Sequence, residues 1–117
     1  MITFETLTHS LIAFRYERDW KKFHSVKDLI ISVCIEAGEL LELTQWRGEE
    51  EMEKITSDPL YKARLEEECA DILLYLLLVA EKAAFNLASA ASAKIDSNRN
   101  KYPLDKARGT SKKYDQL

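Results

Sequence analysis

The chain is poor in the residues that make turns. Its 117 residues include 3 glycines and 2 prolines, where average usage gives about 14 of the two together. Antiparallel sandwiches and barrels need such residues at their many turns, so this scarcity argues strongly against them. The length suffices for one hydrophobic core and is too short for two. We therefore expect one compact domain that is not a turn-rich β fold.

Cysteines and long apolar runs are also scarce. Cys34 and Cys69 form no C-x-x-C pair, which argues against a zinc knuckle or a disulfide framework, and we expect both to be small buried residues. The longest apolar run, Ile72–Ala80, is too short to span a bilayer. The amino terminus shows no signal-peptide pattern. These features predict a soluble, cytoplasmic protein with no membrane contact.

The apolar residues recur at helical spacing. In the first segment, steps of three and four place one stripe along a helix, formed by Phe4, Leu7, Leu11 and Phe14. Start and stop signals such as Ser25, Gly48, Asp58-Pro59 and Pro103 then divide the chain. They predict helices over about Thr3–Trp20, Ser25–Trp46, Asp58–Phe85 and Leu87–Arg99, with a short helix or ordered loop over Glu49–Thr56.

This pattern predicts a bundle of four to five helices. Residues 1–103 are expected to form the single helical domain, and residues 104–117 a basic tail that is extended or partly disordered. The segment Ile72–Val79 is apolar around the whole helix axis and must be covered on all sides. With so few helices in the chain, we expect a second subunit to cover it, within an intertwined homo-oligomer.

Charge is segregated along the chain, although the net charge is only -3. Residues 36–71 hold twelve of the twenty acidic residues and four basic ones, whereas residues 94–117 hold seven basic and three acidic ones. The basic residues form no large single stripe, and the net charge is negative, so we do not expect nucleic acid to be the partner. The acidic middle and the basic end need another explanation.

Some of the acidic residues interrupt apolar helices at regular steps. Glu36 and Glu39 share one side of the second predicted helix, and Glu68 and Asp71 repeat the same step in the third. Four carboxylates on two helices suit Mg²⁺, with Mn²⁺ as a substitute. The alternative is a solvated acidic face, which we accept for Glu49–Glu53. For the four embedded acids, we favour the metal site.

Two further details qualify this prediction. Ferritin-like di-iron sites need Glu-x-x-His pairs, and neither His9 nor His24 lies three residues after a glutamate. Di-iron chemistry is therefore disfavoured. Gly38 lies between the two ligand glutamates of the second helix at a cost of about 1 kcal/mol in helix propensity, which suggests close helix packing or the approach of a phosphate group.

The chain resembles the MazG-type all-α nucleotide pyrophosphohydrolases, and most closely their dCTP pyrophosphatase branch. Five blocks in order carry the resemblance. They are Glu17-Arg18-Asp19-Trp20 with Phe23-His24, then Glu36-Ala37-Gly38-Glu39-Leu40-Leu41-Glu42 with Gln45-Trp46, then Glu68-Cys69-Ala70-Asp71-Ile72 with Tyr75, then Lys94-Ile95-Asp96-Ser97-Asn98-Arg99, and Lys101-Tyr102-Pro103.

The resemblance implies hydrolysis of a nucleoside triphosphate, such as dCTP or a modified dCTP, to the monophosphate and pyrophosphate by attack of water at the α-phosphorus. It implies that the four carboxylates hold Mg²⁺. One carboxylate would orient or deprotonate the water; Glu36 and Glu39 are the catalytic candidates, Glu39 first, and the sequence does not say which of them is the base. Glu42 is expected behind these ligands or as a further ligand. The family's dCTP branch favours a tetramer built from two dimers.

The resemblance also implies a set of nucleotide-binding residues: Trp20, Trp46, Tyr75, Lys94, Asn98 and Tyr102. Trp20 and Trp46 end the first two predicted helices, so they can flank one mouth of the bundle. Lys94 and Asn98 lie four residues apart and share a helix face. The alternative function is a non-catalytic helical protein that binds a nucleotide or a partner.

Overall fold

Helices and turns make up the whole fold. The computed structural model describes all 117 residues, and the all-α prediction is confirmed. The helices are α1 (Phe4–Glu17), α2 (Val26–Glu42), α3 (Glu49–Glu53), α4 (Pro59–Lys82), α5 (Leu87–Lys101) and α6 (Leu104–Ala107). Single 3₁₀ turns cover Lys21–Phe23, Ile55–Ser57 and Tyr114–Gln116.

Side-chain caps begin the long helices. Ser25 Oγ accepts the backbone N–H of Asp28 at 3.1 Å and begins α2. Asp58 accepts the N–H of Leu60 and places Pro59 at the first position of α4, where its missing N–H costs no hydrogen bond. These two starts are as predicted, and the short helical stretch after Gly48 corresponds to α3 and the turn that follows it.

The first three long helices end earlier than predicted. The expected ends were Trp20, Trp46 and Phe85, and the observed ones are Glu17, Glu42 and Lys82. The chain leaves these helices through residues with positive φ, at Asp19 (52°), Trp46 (65°) and Ala84 (61°). A glycine usually marks such a position, and none stands there; Gly48, the stop signal read for the second helix, lies six residues beyond its observed end.

The chain forms two compact units, residues 1–84 and residues 85–117. In the first unit, α4 packs against both α2 and α1. The apolar residues buried there are few: Leu29, Leu43, Ile55, Leu77, Leu78 and Ala80. The predicted apolar segment Ile72–Val79 is buried or half-buried within this unit, so α1 and α2 already cover much of the helix that we expected a second subunit to cover.

The second unit contains α5, α6 and the last turn. The tail was predicted to be extended or partly disordered, and this was wrong for two stretches, because Leu104–Ala107 and Tyr114–Gln116 are helical. The Tyr102 ring packs edge-on against that of Tyr114, with centroids 6.2 Å apart, which holds the end of the chain against the end of α5. The division of the chain at residue 103 stays a prediction.

Both cysteines are free and exposed, so the prediction that they are buried was wrong. Cys34 lies on α2 next to the exposed Ile35, on a part of the helix that faces away from the core of this chain. None of the helices alone has the length and apolar composition needed to cross a membrane, and only α4 and α5 counted together reach that threshold.

Candidate functional site

Four carboxylates converge where α2 packs against α4. Glu36 and Glu39 come from α2, and Glu68 and Asp71 come from α4, each pair at a step of three residues. One oxygen from each side chain lies within 4.8 Å of the others. The sequence predicted this set of residues, and the structure brings all four together.

Two of these carboxylates lack partners that would stabilise their negative charge. Glu36 and Glu68 each have a buried Oε2 atom with no hydrogen-bond partner. Desolvation, followed by a hydrogen bond to Glu39 and the charges of the neighbouring carboxylates, raises the pKa of Glu36. Desolvation and then the charge of Glu39 raise the pKa of Glu68. A positive charge among these oxygens would relieve both effects.

The donor set fits a hard divalent cation. All four groups offer oxygen, with no histidine or cysteine among them, and such ligands suit Mg²⁺ or Mn²⁺ more than zinc or copper. The unpartnered oxygens of Glu36 and Glu68 are observations that favour a cation over a solvated acidic face. Glu42 lies at the exposed end of α2, outside the group of four.

A cavity of about 160 Å³ adjoins this group. Its walls are mostly apolar and aromatic, and it is lined by Leu11, Phe14, Arg15, Trp20, His24, Asp71, Leu74, Tyr75 and Leu78. Trp20 packs edge-on against Phe14, with ring centroids 5.6 Å apart. Asp71 belongs both to the carboxylate group and to the cavity wall, so the two features form one continuous site.

The polar side of the cavity contains two residues that sequence reasoning did not assign to it. Arg15 is buried on α1 and forms two hydrogen bonds with Glu81 of α4. His24 has a buried Nδ1 atom with no partner. Burial, and then the positive charge of Arg15, lowers the pKa of His24, which favours the neutral imidazole.

A signal for Arg15 was present in the sequence. Leu7, Leu11 and Arg15 follow one another at steps of four, so the arginine lies on the apolar stripe of α1. Glu81 is the first charged residue after the long apolar run of α4. Arg15 and Glu81 thus have opposite charges, and each lies on or beside an apolar helix segment. This pattern indicates a buried ion pair.

The remaining predicted residues have different surroundings. Trp20 and Tyr75 line the cavity, as their predicted role requires, but Trp46 does not and is 92% exposed. Both helices end before their tryptophans, and the expectation that Trp20 and Trp46 flank one mouth of the bundle stays a prediction. In the second unit, Lys94 and Asn98 are exposed on α5, and Tyr102 follows its last turn.

Comparison with known proteins identifies the family of the chain. Residues 31–117 match the model of the MazG-like family. The chain is 38% identical over 115 residues to dCTP pyrophosphatase 1 of Bos taurus, and 37% identical to dCTP pyrophosphatase 1 of Homo sapiens. In both cases the match covers 98% of this chain and 68% of the relative.

A solved structure of a pyrophosphatase has a similar fold. The crystal structure of a pyrophosphatase from Archaeoglobus fulgidus is similar to this chain, with a TM-score of 0.78 and 40% sequence identity over 85% of this chain and 91% of that one. The family model, the sequence relatives and the fold all agree with the resemblance seen in the five sequence blocks. The chain belongs to the MazG-like family.

Proposed function

We propose that this chain hydrolyses dCTP, or a modified dCTP, to the monophosphate and pyrophosphate, with Mg²⁺ bound by its four carboxylates. The broader class follows from its relatives: the chain is a nucleoside triphosphate pyrophosphohydrolase. The observation that carries the proposal is the position of Asp71, which links the carboxylate group to the aromatic cavity. A nucleotide whose base lies in the cavity would direct its phosphates toward the carboxylates.

In this proposal, the cavity binds the base and the four carboxylates bind the cation. Trp20 and Tyr75 form the walls against which a base packs. Glu36, Glu39, Glu68 and Asp71 hold the cation, which when bound neutralises phosphate charge and polarises the α-phosphate. A triphosphate could not approach four clustered carboxylates without such neutralisation.

The nucleophile is water, and Glu39 orients it and accepts its proton. Glu39 is the exposed member of the α2 pair, while Glu36 is half-buried, so Glu39 is the one that solvent reaches. Glu36 shares the catalytic role because it fixes the position of Glu39. Glu42, at the end of α2, helps to hold these two glutamates in position. The family resemblance, and not a contact seen in the first unit, assigns hydrogen bonds from Lys94, Asn98 and Tyr102 to phosphate or sugar oxygens.

The reaction is tested with a panel of canonical and modified dNTPs in the presence of Mg²⁺. We expect pyrophosphate and no orthophosphate, with the fastest turnover for a cytosine nucleotide. Hydrolysis in ¹⁸O-labelled water should place the label in the monophosphate, because attack occurs at the α-phosphorus. Release of orthophosphate, label in the pyrophosphate, or no turnover of any nucleotide would contradict the proposal.

The catalytic role of Glu39 has a matched control. Glu39→Gln removes one charge with little change in shape and should abolish turnover while circular dichroism shows unchanged helicity. Glu50→Gln makes the same chemical change in the solvated acidic stretch of α3 and should leave turnover unchanged. Equal activity in both variants would exclude Glu39 from the reaction.

The proposal includes a cytoplasmic homo-oligomer, with a tetramer built from two dimers as the expected state. Its support lies on α2, where Ile30, Ile31, Ile35 and Leu41 are each more than 40% exposed in the single chain. Large apolar patches on a surface mark interaction sites. Light scattering should show Ile35→Lys dissociating the oligomer and Lys27→Glu on the same helix leaving it intact. An unchanged mass for Ile35→Lys would exclude this face.

A further inference from the structure

The cavity contains a buried charge for which the proposed reaction has no use. Arg15 is 5% exposed and lines the cavity, whereas its partner Glu81 is not part of the lining. Arg15 Nη1 donates to Glu81 Oε2 at 3.1 Å, and Nη2 donates to Oε1 at 3.4 Å. This two-point contact fixes the plane of the guanidinium group.

Stability alone is a poor explanation for this pair. The side chains are 6% and 28% exposed, and removing charges this far from water costs about as much as their attraction returns. Apolar residues of similar size usually serve a protein interior equally well or better. A buried arginine at the wall of a ligand cavity therefore calls for a role in binding.

Arg15 still has hydrogen-bonding capacity. A guanidinium group carries five N–H donors and no acceptor, and the two bonds to Glu81 are the only side-chain hydrogen bonds that Arg15 makes. Nearby, His24 Nδ1 is also unpartnered. The polar side of the cavity thus combines unused donors from Arg15 with an imidazole nitrogen that has no partner.

We propose that Arg15, positioned by Glu81, determines base specificity by donating hydrogen bonds to the N3 and O2 acceptors of a cytosine ring. This inference rests on the proposed function. The cavity is far smaller than the roughly 300–1,000 Å³ clefts that hold drug-sized ligands, so it takes a single ring. Cytosine has two adjacent acceptors, which match two N–H groups of one guanidinium. Uracil and thymine have an N–H between their carbonyl groups, which a donor-only group repels.

The direct test compares dCTP with dUTP in the intact enzyme and in Arg15→Met. A hydrogen bond to a charged group is worth about tenfold to a hundredfold in affinity. We expect Arg15→Met to lower kcat/KM for dCTP by this factor, mainly through KM, and to change kcat/KM for dUTP less than about threefold. Lys22→Met removes an exposed cation and should preserve the preference. An equal fall for both nucleotides, or no change in the preference, overturns the role of Arg15.

A double variant separates specificity from folding. Arg15→Met alone leaves the Glu81 carboxylate without its partner and can destabilise the chain. Arg15→Met combined with Glu81→Leu leaves no unpaired charge, so we expect its Tm to stay near that of the parent while the preference for dCTP is still lost. A double variant that keeps the preference contradicts the inference.

Glu81 has its own test as a positioning residue. Glu81→Gln keeps an acceptor for Arg15 but not the two-point carboxylate contact. It should raise KM for dCTP part of the way toward the Arg15→Met value and leave kcat unchanged. An unchanged KM in Glu81→Gln and in the more severe Glu81→Leu would show that Arg15 needs no positioning by this carboxylate.

Binding measurements distinguish failure of this inference from failure of the proposed function. If the parent enzyme hydrolyses no nucleotide, the proposed function fails, yet calorimetry with dCMP and dUMP still reports on the cavity. We expect the parent to bind dCMP at least tenfold more tightly than dUMP, and Arg15→Met to bind both equally. Equal affinities in the parent overturn the role of Arg15 regardless of turnover.

Discussion

Magnesium should stabilise the folded chain, and Glu68→Gln should remove that stabilisation. The carboxylate of Glu68 has a buried oxygen with no partner. Its pKa is raised by desolvation and then by Glu39 and the charges of Asp71 and Glu67. The amide has the same shape without the charge. The metal-free variant should therefore be at least as stable as the metal-free parent, while it loses a ligand.

The size of the effect follows from mass action. Each tenfold increase in free Mg²⁺ above its dissociation constant adds about 1.4 kcal/mol per bound ion. For a chain of this length, 1 kcal/mol corresponds to roughly 3–6 °C in Tm, so one ion gives about 4–8 °C for each tenfold step and two ions give twice that. The slope of the titration thus counts the ions.

Differential scanning fluorimetry measures this slope at constant ionic strength and constant protomer concentration, because salt and assembly also shift Tm. The parent and Glu50→Gln should share one slope, and Glu68→Gln should show a slope close to zero until free Mg²⁺ exceeds the weaker dissociation constant of that variant. If all three proteins responded equally, the stabilisation would come from general screening, and the reasoning about the carboxylate group would be refuted.

Three other changes test separate parts of the structure. The folded-state pKa values of Glu36 and Glu68 are raised, so folding without metal takes up protons at these two groups. The lowered pKa of His24 acts in the opposite sense below its ordinary value of 6.5, so this test uses His24→Gln as the parent. Its Tm in EDTA should rise as pH falls from neutrality toward 4.5, a trend that saturating Mg²⁺ removes, and a Tm that falls over this range contradicts the shifts of the two glutamates. A Cβ added at Gly38 meets nothing within 4 Å, so Gly38→Ala should stabilise the fold by up to about 1 kcal/mol in denaturant titrations, and a loss of stability would show that the position is packed after all. Leu29 is 1% exposed, and Leu29→Ala should cost about 2–5 kcal/mol at an unchanged m value, whereas a cost below 1 kcal/mol would mean that the site collapses around the smaller side chain.

Sequence reasoning found the carboxylate group because the group depends on local geometry. A step of three residues on a helix fixes which side chains share a face, and α2 and α4 were both recognised as amphipathic or apolar helices. It also suggested that Gly38 allows close helix packing or the approach of a phosphate group, and a Cβ added there meets no atom of a neighbouring element within 4 Å. Whether a second helix lies near a given glycine depends on tertiary contacts, and the helical period of the sequence does not specify those contacts.

The ends of the helices were harder to predict than the helices themselves. The scarcity of glycine correctly excluded β-rich folds, but it also removed the usual marker of a helix end. Asp19, Trp46 and Ala84 take positive φ values in its place, an uncommon conformation for residues with a side chain. As a result, Trp20 and Trp46 were placed at helix ends, and only the structure separates the tryptophan in the cavity from the exposed one.

A row of side chains that winds along α4 connects the parts of the candidate site. Glu68, Asp71, Tyr75, Leu78 and Glu81 follow one another at steps of three or four, so they form a row about 20 Å long along the helix. The row begins with two carboxylates, continues as a cavity wall and ends at the residue that holds Arg15. This order, from cation ligands to base contact, is that of a nucleotide from phosphate to base. The helical period that made α4 recognisable in the sequence therefore also sets the direction in which we propose that the substrate lies.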